Sequence, residues 1–476
     1  MLGTLLLVVV LIYIAIEAWK GYRRGVIYSA VRLLWMVPGI TVAVCLAERV
    51  TRWLLLYLAK LRGYEFENIK ELSYYVLYQA GCEEEAVVFA LPFGALLLSF
   101  CTPLVFVILL LLTCVVTYFL YRMVRWGLKR KGLKQPGKGA KWAGVLLGGV
   151  FGICFSALLV LPFAGISRLL ERNDTLVTID ELIETEDFEI LTLYDASPLS
   201  GLYRYTGMEA FTGWLYAELS EVSAESVEVG AEAAASSYSF PDSMEQLLKK
   251  MPEVVVLAEG VREPETISEE HVDAIEELTE FCYHTELLKP EEIVYLGNRL
   301  LKRASRQMDE QELWYVFLED RSYDTLEALE ADTKAVLDMA EILIREEVLQ
   351  KYLDGDYTRL RLSESAAGEL VDAFAAFSDG GIVAARFINR LTEQLSEGEL
   401  EQLVYEEDLR NLSEKKEELV QLLSVAFRIV AAMEVGVEEL SMEETKELLL
   451  EVQALEGQTI VRREKYMALL NLVKGQ

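Results

Sequence analysis

"EAWKGYRRGVIYSA" (residues 17–30) is the stretch whose reading decides the fold. Lys20, Arg23 and Arg24 stand between two apolar runs, flanked by Gly21 and Gly25. Upstream, "LGTLLLVVVLIYIAIEAW" (2–19) is apolar apart from Glu17; downstream, "VIYSAVRLLWMVPGITVAVCL" (26–46) is apolar apart from Arg32. A helix needs about 20 mostly apolar residues to cross a bilayer core, so each run is long enough for one span. The charged stretch between them is then a tight hairpin, and the glycines let its backbone turn. The first run has no basic residue before it and no small-x-small site after it, so it does not read as a cleaved signal peptide.

Two further runs are long enough and uncharged: "LVFVILLLLTCVVTYFLY" (104–121) and "AGVLLGGVFGICFSALLVLPFAGI" (143–166). No run after residue 166 is long enough, giving four expected spans. "AVVFALPFGALLLSFC" (86–101) is apolar but short, with Pro92 inside it and Pro103 just beyond. Joined to the next run it would make about 54 Å of helix at 1.5 Å per residue, too long for one crossing. The expectation is a re-entrant or interfacial segment, with a fifth span as the alternative.

Charge assigns sidedness. Residues 1–169 hold 18 Lys and Arg against 8 Asp and Glu, whereas residues 170–476 hold 27 against 68. The 20–25 hairpin has three bases and no acids, and the 122–141 loop has eight and none. Basic short loops stay cytoplasmic. Both do so only if the amino terminus, the 47–85 loop and the acidic carboxy-terminal part lie outside. In the 47–85 loop, Val50, Trp53, Leu54, Tyr57, Leu58 and Leu61 make one apolar stripe, expected as a short helix on the outer leaflet or packed on the tail. The fold class is therefore an all-α membrane protein: four transmembrane helices plus a re-entrant segment, then a large, mostly helical, acidic extracytoplasmic domain.

Several positions are candidate sites. Ala140, Gly144, Gly148 and Gly152 recur every four residues and face one way, allowing a neighbouring backbone close; the partner is a second copy or another span of this chain. Glu17 and Arg32 lie near the same end of adjacent spans. They read as a buried ion pair or proton-linked site, or as side chains snorkelling to the interface. His271, Cys282 and His284 are misaligned for zinc. "DGD" (354–356) lacks the other ligands of a calcium loop, and no nucleophile elbow or phosphate loop occurs. No cofactor, metal or catalytic residue is expected. The six cysteines form no disulfide framework, a Cys82–Cys282 bridge being the one conceivable pairing.

The order of these features resembles the colicin V production protein (CvpA) family of bacterial inner-membrane proteins, over residues 1–166. The hairpin Gly21-Tyr22-Arg23-Arg24-Gly25 corresponds to the family's Gly-x-x-Arg/Lys-Gly turn. A broken apolar stretch, a basic loop and a span carrying Gly144, Gly148 and Gly152 follow. The family's usual Asp or Asn early in the first span has no counterpart in "MLGTLLLVVV". The resemblance implies a non-enzymatic multi-pass protein of the bacterial cytoplasmic membrane, with a part in toxin or peptide production or export and in envelope maintenance. A transporter or channel subunit using Arg32, Glu17 and the segment around Pro92 is the alternative.

Beyond the spans, residues 170–219 are expected to dock near the membrane, 220–240 to be a flexible linker, and 241–476 to fold as helices. Capping boxes are read at Asp242/Glu245, Thr266/Glu269, Ser396/Glu399 and Ser441/Glu444. Helices are expected at 271–288, 291–306 and 413–435, with Pro290 in a first turn and Gly457 at a stop. Val336, Ala340, Ile344, Val348 and Tyr352 share helical spacing. The surplus of carboxylates excludes nucleic acid. It leaves the bilayer, a second copy, or a basic envelope protein or peptide as partners.

Overall fold

A computed structural model describes residues 2–82, 85–130, 137–171, 198–230, 237–262, 268–309, 313–353, 360–393, 402–435 and 440–474. The structure is mostly helical and divides into two compact units, 1–252 with 286–288, and 253–285 with 289–476. The expected boundary at 240/241 therefore moves to 252/253.

In the first unit, α1 (Leu2–Arg24) and α2 (Val26–Leu61) meet at Gly25, whose φ of 86° only glycine adopts readily. α3 (Ile69–Gln79) starts on an Asn68 cap, and α4 (Ala86–Arg130) and α5 (Lys138–Glu171) follow. Three described helical stretches are long and apolar enough to cross a membrane: Val26–Leu61, Ala86–Val116 and Lys138–Ile166. α1 runs antiparallel to α5, with Gly21 against Gly144 and Ile14 against Gly152. α2 packs beside α4, where Ala43, Ala47, Phe106 and Leu110 share a core with Phe151, Phe155 and Leu158 of α5. The faces turned away from this core stay apolar and exposed, among them Leu34, Val37, Leu112, Val115, Leu146 and Phe163.

Residues 86–101 form no re-entrant element. They are the first part of the unbroken 45-residue α4, with Pro92 and Pro103 inside it. The surface helix expected at 50–61 is likewise the continuation of α2. At 1.5 Å per residue these helices run about 54 and 68 Å, well beyond a hydrocarbon core of about 30 Å. Their extra lengths pack together under a protein cap. Leu55 and Leu56 of α2 and Leu91, Ala95 and Leu98 of α4 share a core with Ile69, Val222, Val227 and Tyr238. Protein covers one side of segment 86–101, while Val87, Phe89 and Phe100 stay exposed.

The expected linker supplies that cap. β1 (Glu221–Ser223) pairs antiparallel with β2 (Ser237–Ser239), burying Val222 and Tyr238. Between them the four-residue helix α8 (Ala224–Val227) packs on α4. Before it, α6 (Pro198–Tyr205) and α7 (Met208–Ser220) make a helical hairpin about Gly207. The hairpin lies along the bundle: Leu199 and Tyr203 pack with Val10, Ala157 and Val160, and Leu215, Tyr216 and Leu219 join the α2–α4–α5 core. Thus, within 170–219, residues 198–219 pack against the apolar helices themselves. α9 (Phe240–Lys249) is capped by Ser239, so Asp242 is its third residue and not its cap.

α10 (Met251–Arg262) spans the division between units. In the second unit, α11 (Glu269–Tyr283) covers the helix expected at 271–288 but stops five residues short of its end, and α12 (Pro290–Gln307) matches the one expected at 291–306. α11 is capped by Ser268 and His271 rather than from Thr266. α13 (Leu326–Arg345) and α14 (Val348–Leu353) are broken at Glu347, φ 57°. The apolar stripe read through 336–352 therefore ends there, and the buried face of α13 centres on Leu329, Ala335, Met339 and Ile342. α15 (Glu364–Ala376), α16 (Gly380–Glu393), α17 (Lys416–Val435), α18 (Met442–Ala454) and α19 (Arg463–Val473) complete one core around Phe374, Phe387 and Phe427. The Ser441/Glu444 capping box forms, and Gly457 has φ 89° after α18. Thr266, Ser396, Glu399 and the Asp354–Asp356 stretch lie outside the described residues.

Candidate functional site: a charge pair at the closest helix crossing

The small residues of α5 meet α1. A Cβ added at Gly148 would lie 2.5 Å from the Glu17 carbonyl oxygen, and one at Gly152 would lie 3.1 Å from the Ile14 Cα. Gly21 and Gly144 each present backbone to the other's missing side chain. Only glycine permits this approach, and burial of the two backbones against each other holds the pair together. Ser29 of α2 adds a buried hydrogen bond, its hydroxyl donating to the Gly144 carbonyl at 3.0 Å. The stripe thus packs within the chain. Ala140, one turn earlier, is half-buried and begins the same face.

That approach places the Glu17 carboxylate between three helices. Its side chain is 3% exposed. Lys20 donates to Oε1 at 2.9 Å, and Arg32 Nη1 donates to Oε2. The Arg32 guanidinium lies 4.1 Å from the Phe151 ring centroid and donates to the Tyr28 hydroxyl at 3.3 Å. Arg32 therefore points inward. A buried charge is costly unless paired and hydrogen-bonded, and here two cations and an aromatic face surround one carboxylate. The cavity beside Arg32 holds about 10 Å³, room for about one water.

The hairpin residues frame this site. The Gly25 N–H donates to the Gly21 carbonyl at 2.7 Å. Arg23 stacks over Trp19 at 4.9 Å and Arg24 over Tyr28 at 4.6 Å. Across the crossing, Tyr22 meets Trp142 edge-on at 6.1 Å and lies 5.7 Å from the Lys141 ammonium. The 20–25 cations and the start of α5 thus share one end of the bundle.

The Lys20, Tyr28 and Phe151 partners were not read from the sequence. Lys20 and Tyr28 sit three and four residues from Glu17 and Arg32, a helical spacing that marks neighbours. Phe151 is brought in only by the fold. Elsewhere, all six cysteines are free thiols. His271 accepts at a helix cap, and His284 lies 3.6 Å from Glu330. No group of metal-ligating side chains occurs among the described residues.

Comparison with family models, curated proteins and solved structures finds no match for this chain.

Proposed function

We propose that the chain is a non-enzymatic integral membrane protein of the bacterial cytoplasmic membrane. In this reading α1, α2, α4 and α5 are its four spans, and the acidic second unit is an extracytoplasmic helical domain. That domain scaffolds an envelope protein, an exported peptide or a second copy of the chain, in keeping with the resemblance to the CvpA family. The observation that carries the reading is the apolar outer surface of α2, α4 and α5, which water would penalise and lipid would not. The 20–25 cations at the same bundle end as Lys141 support the sidedness.

A conduit is the second reading, and the buried Glu17–Arg32 pair favours it. Against it, the space beside Arg32 is about 10 Å³ and the pair ties α1 to α2, which suits a fixed brace better than a path. The re-entrant element that a conduit would have used at 86–101 is a continuous helix.

Sidedness is tested with Glu443→Cys in a cysteine-free background, an exposed position on α18. A membrane-impermeant maleimide should label it on intact cells. Labelling only after lysis would invert the topology. Photo-crosslinkers placed in the second unit should capture an envelope protein, an exported peptide or a second copy. Ion flux in proteoliposomes that disappears in Arg32→Gln would overturn the scaffold in favour of the conduit.

A further inference from the structure

We propose that the first unit holds the headgroup of an ethanolamine phospholipid between α2 and α8. A cavity of about 340 Å³ lies there, lined by Arg49, Arg52, Trp53, Glu67, Glu225 and Ser226 among others. The proposal rests on the reading that α2 crosses a bilayer.

Position comes first. Val42, Leu46, Arg49 and Trp53 are spaced three to four residues apart along α2, and all are exposed. The face is apolar up to Leu46 and cationic one turn later. Trp53 then stacks on Tyr57 at 5.1 Å, with both rings exposed. Tryptophan and tyrosine favour the headgroup level. Arg49 therefore stands where a lipid lying along Val42 and Leu46 would place its phosphate.

Charge comes second. The cavity lining carries two guanidiniums and two carboxylates, Arg49 and Arg52 against Glu67 and Glu225. Arg49 makes no hydrogen bond or ion pair among the described residues, so its donors are free for a phosphate. Arg52 is half committed: it donates to the Ser226 carbonyl at 3.4 Å and pins α8 over the cavity. Glu67 and Glu225 come from the elements beyond α2, leading into α3 and within α8. A purely anionic headgroup would meet both carboxylates. A zwitterion matches the lining: its phosphate takes the arginines, and its primary ammonium donates to the carboxylates. A trimethylammonium has no N–H to donate, so choline lipids lose that half of the recognition.

The full-length protein in detergent, titrated with phosphatidylethanolamine, phosphatidylglycerol and phosphatidylcholine in mixed micelles and read by native mass spectrometry, tests this. The expected order places phosphatidylethanolamine about tenfold tighter than phosphatidylcholine, a gap of about 1.4 kcal/mol. Arg49→Ala should weaken all three lipids by about tenfold. Glu67→Gln with Glu225→Gln should erase the preference for ethanolamine. Lys60→Ala, an exposed cation of α2 whose partner is Glu65, should change nothing.

Four results would overturn the proposal: phosphatidylglycerol binding as tightly as phosphatidylethanolamine, unchanged binding in Arg49→Ala, an equal loss in Lys60→Ala, or O-phosphoethanolamine binding as tightly as the lipid. The last would identify a site for a soluble anion. Fractionation separates this failure from failure of the membrane reading. A chain that pellets with membranes but shows no headgroup preference refutes the site alone.

Discussion

Gly148→Ala isolates the contact on which the bundle turns. The added Cβ would sit 2.5 Å from the Glu17 carbonyl oxygen, 3.1 Å from its carbon and 3.2 Å from the Ala18 Cα. Ordinary van der Waals contact begins at 3.4 Å, so α1 must withdraw by about 0.9 Å. The obstructing atoms are backbone and have no rotamer to change. A gap of 0.5–1 Å forfeits roughly a quarter to a half of each dispersion contact along the crossing. Overpacking of this kind costs about 1–3 kcal/mol, while replacing a helical glycine by alanine returns about 1 kcal/mol. The neighbouring Gly149 separates the two terms, because a Cβ there meets nothing within 4 Å. Gly149→Ala should be neutral or stabilising, and Gly148→Ala should fall below it by about 2 kcal/mol. The assay is unfolding of the full-length protein in mixed micelles, followed by tryptophan fluorescence. Equal stability of the two alanine variants would refute the crossing.

Removing one member of the buried pair, as in Arg32→Leu, should cost about 3 kcal/mol, because Glu17 Oε2 loses its partner and Lys20 alone remains on the carboxylate. Glu17→Leu with Arg32→Leu should cost less than the sum of the single changes, and a cycle with no coupling would disprove the brace. In the second unit Asp332 is 2% exposed; it receives Arg321 at 2.7 Å and the Tyr323 hydroxyl at 3.0 Å. Asp332→Leu should lower that unit's stability by about 3 kcal/mol, measured by chemical denaturation, whereas a loss below 1 kcal/mol would contradict its role. Burial pushes Glu418 up, but hydrogen bonds from the Thr459 N–H and hydroxyl and the Ile460 N–H outweigh it and hold the carboxyl below its usual range. A depressed carboxylate stabilises the fold above its unfolded pKa and loses that contribution as pH falls through the folded value. Acid unfolding should therefore be shallower in Glu418→Gln than in the parent, and an identical pH profile would exclude the linkage.

Much of the architecture was legible because it follows from local composition. The apolar runs at 26–46 and 143–166 lie within two of the helical stretches long enough to cross a membrane, and the run at 104–121 overlaps the third, Ala86–Val116. Pro290 opens α12, Ser441 caps α18 and Gly457 adopts a positive φ, since each acts through its own backbone. Segment 86–101 was misread for a physical reason. Hydropathy reports that a segment avoids water, not whether lipid or protein replaces it, and here Ile69, Val222 and Tyr238 do so. The small, polar 220–240 stretch lacked a stripe because a two-stranded pair buries only alternate residues, Val222 and Tyr238.

The sequence alone determined where charge and apolarity lie along the chain: four apolar runs, a cationic hairpin, glycines every fourth residue and an acidic second half. Those are one-dimensional properties, set by side-chain chemistry and helical period. Only the tertiary structure decided that the glycine stripe meets α1 at Glu17, that Arg32 turns inward to that carboxylate, and that α2 and α4 extend beyond a bilayer's thickness beneath a cap. The reason is that Glu17, Arg32 and Phe151 belong to three different helices. No local pattern encodes which helix faces which; that choice is made by the closest packing available to the whole bundle.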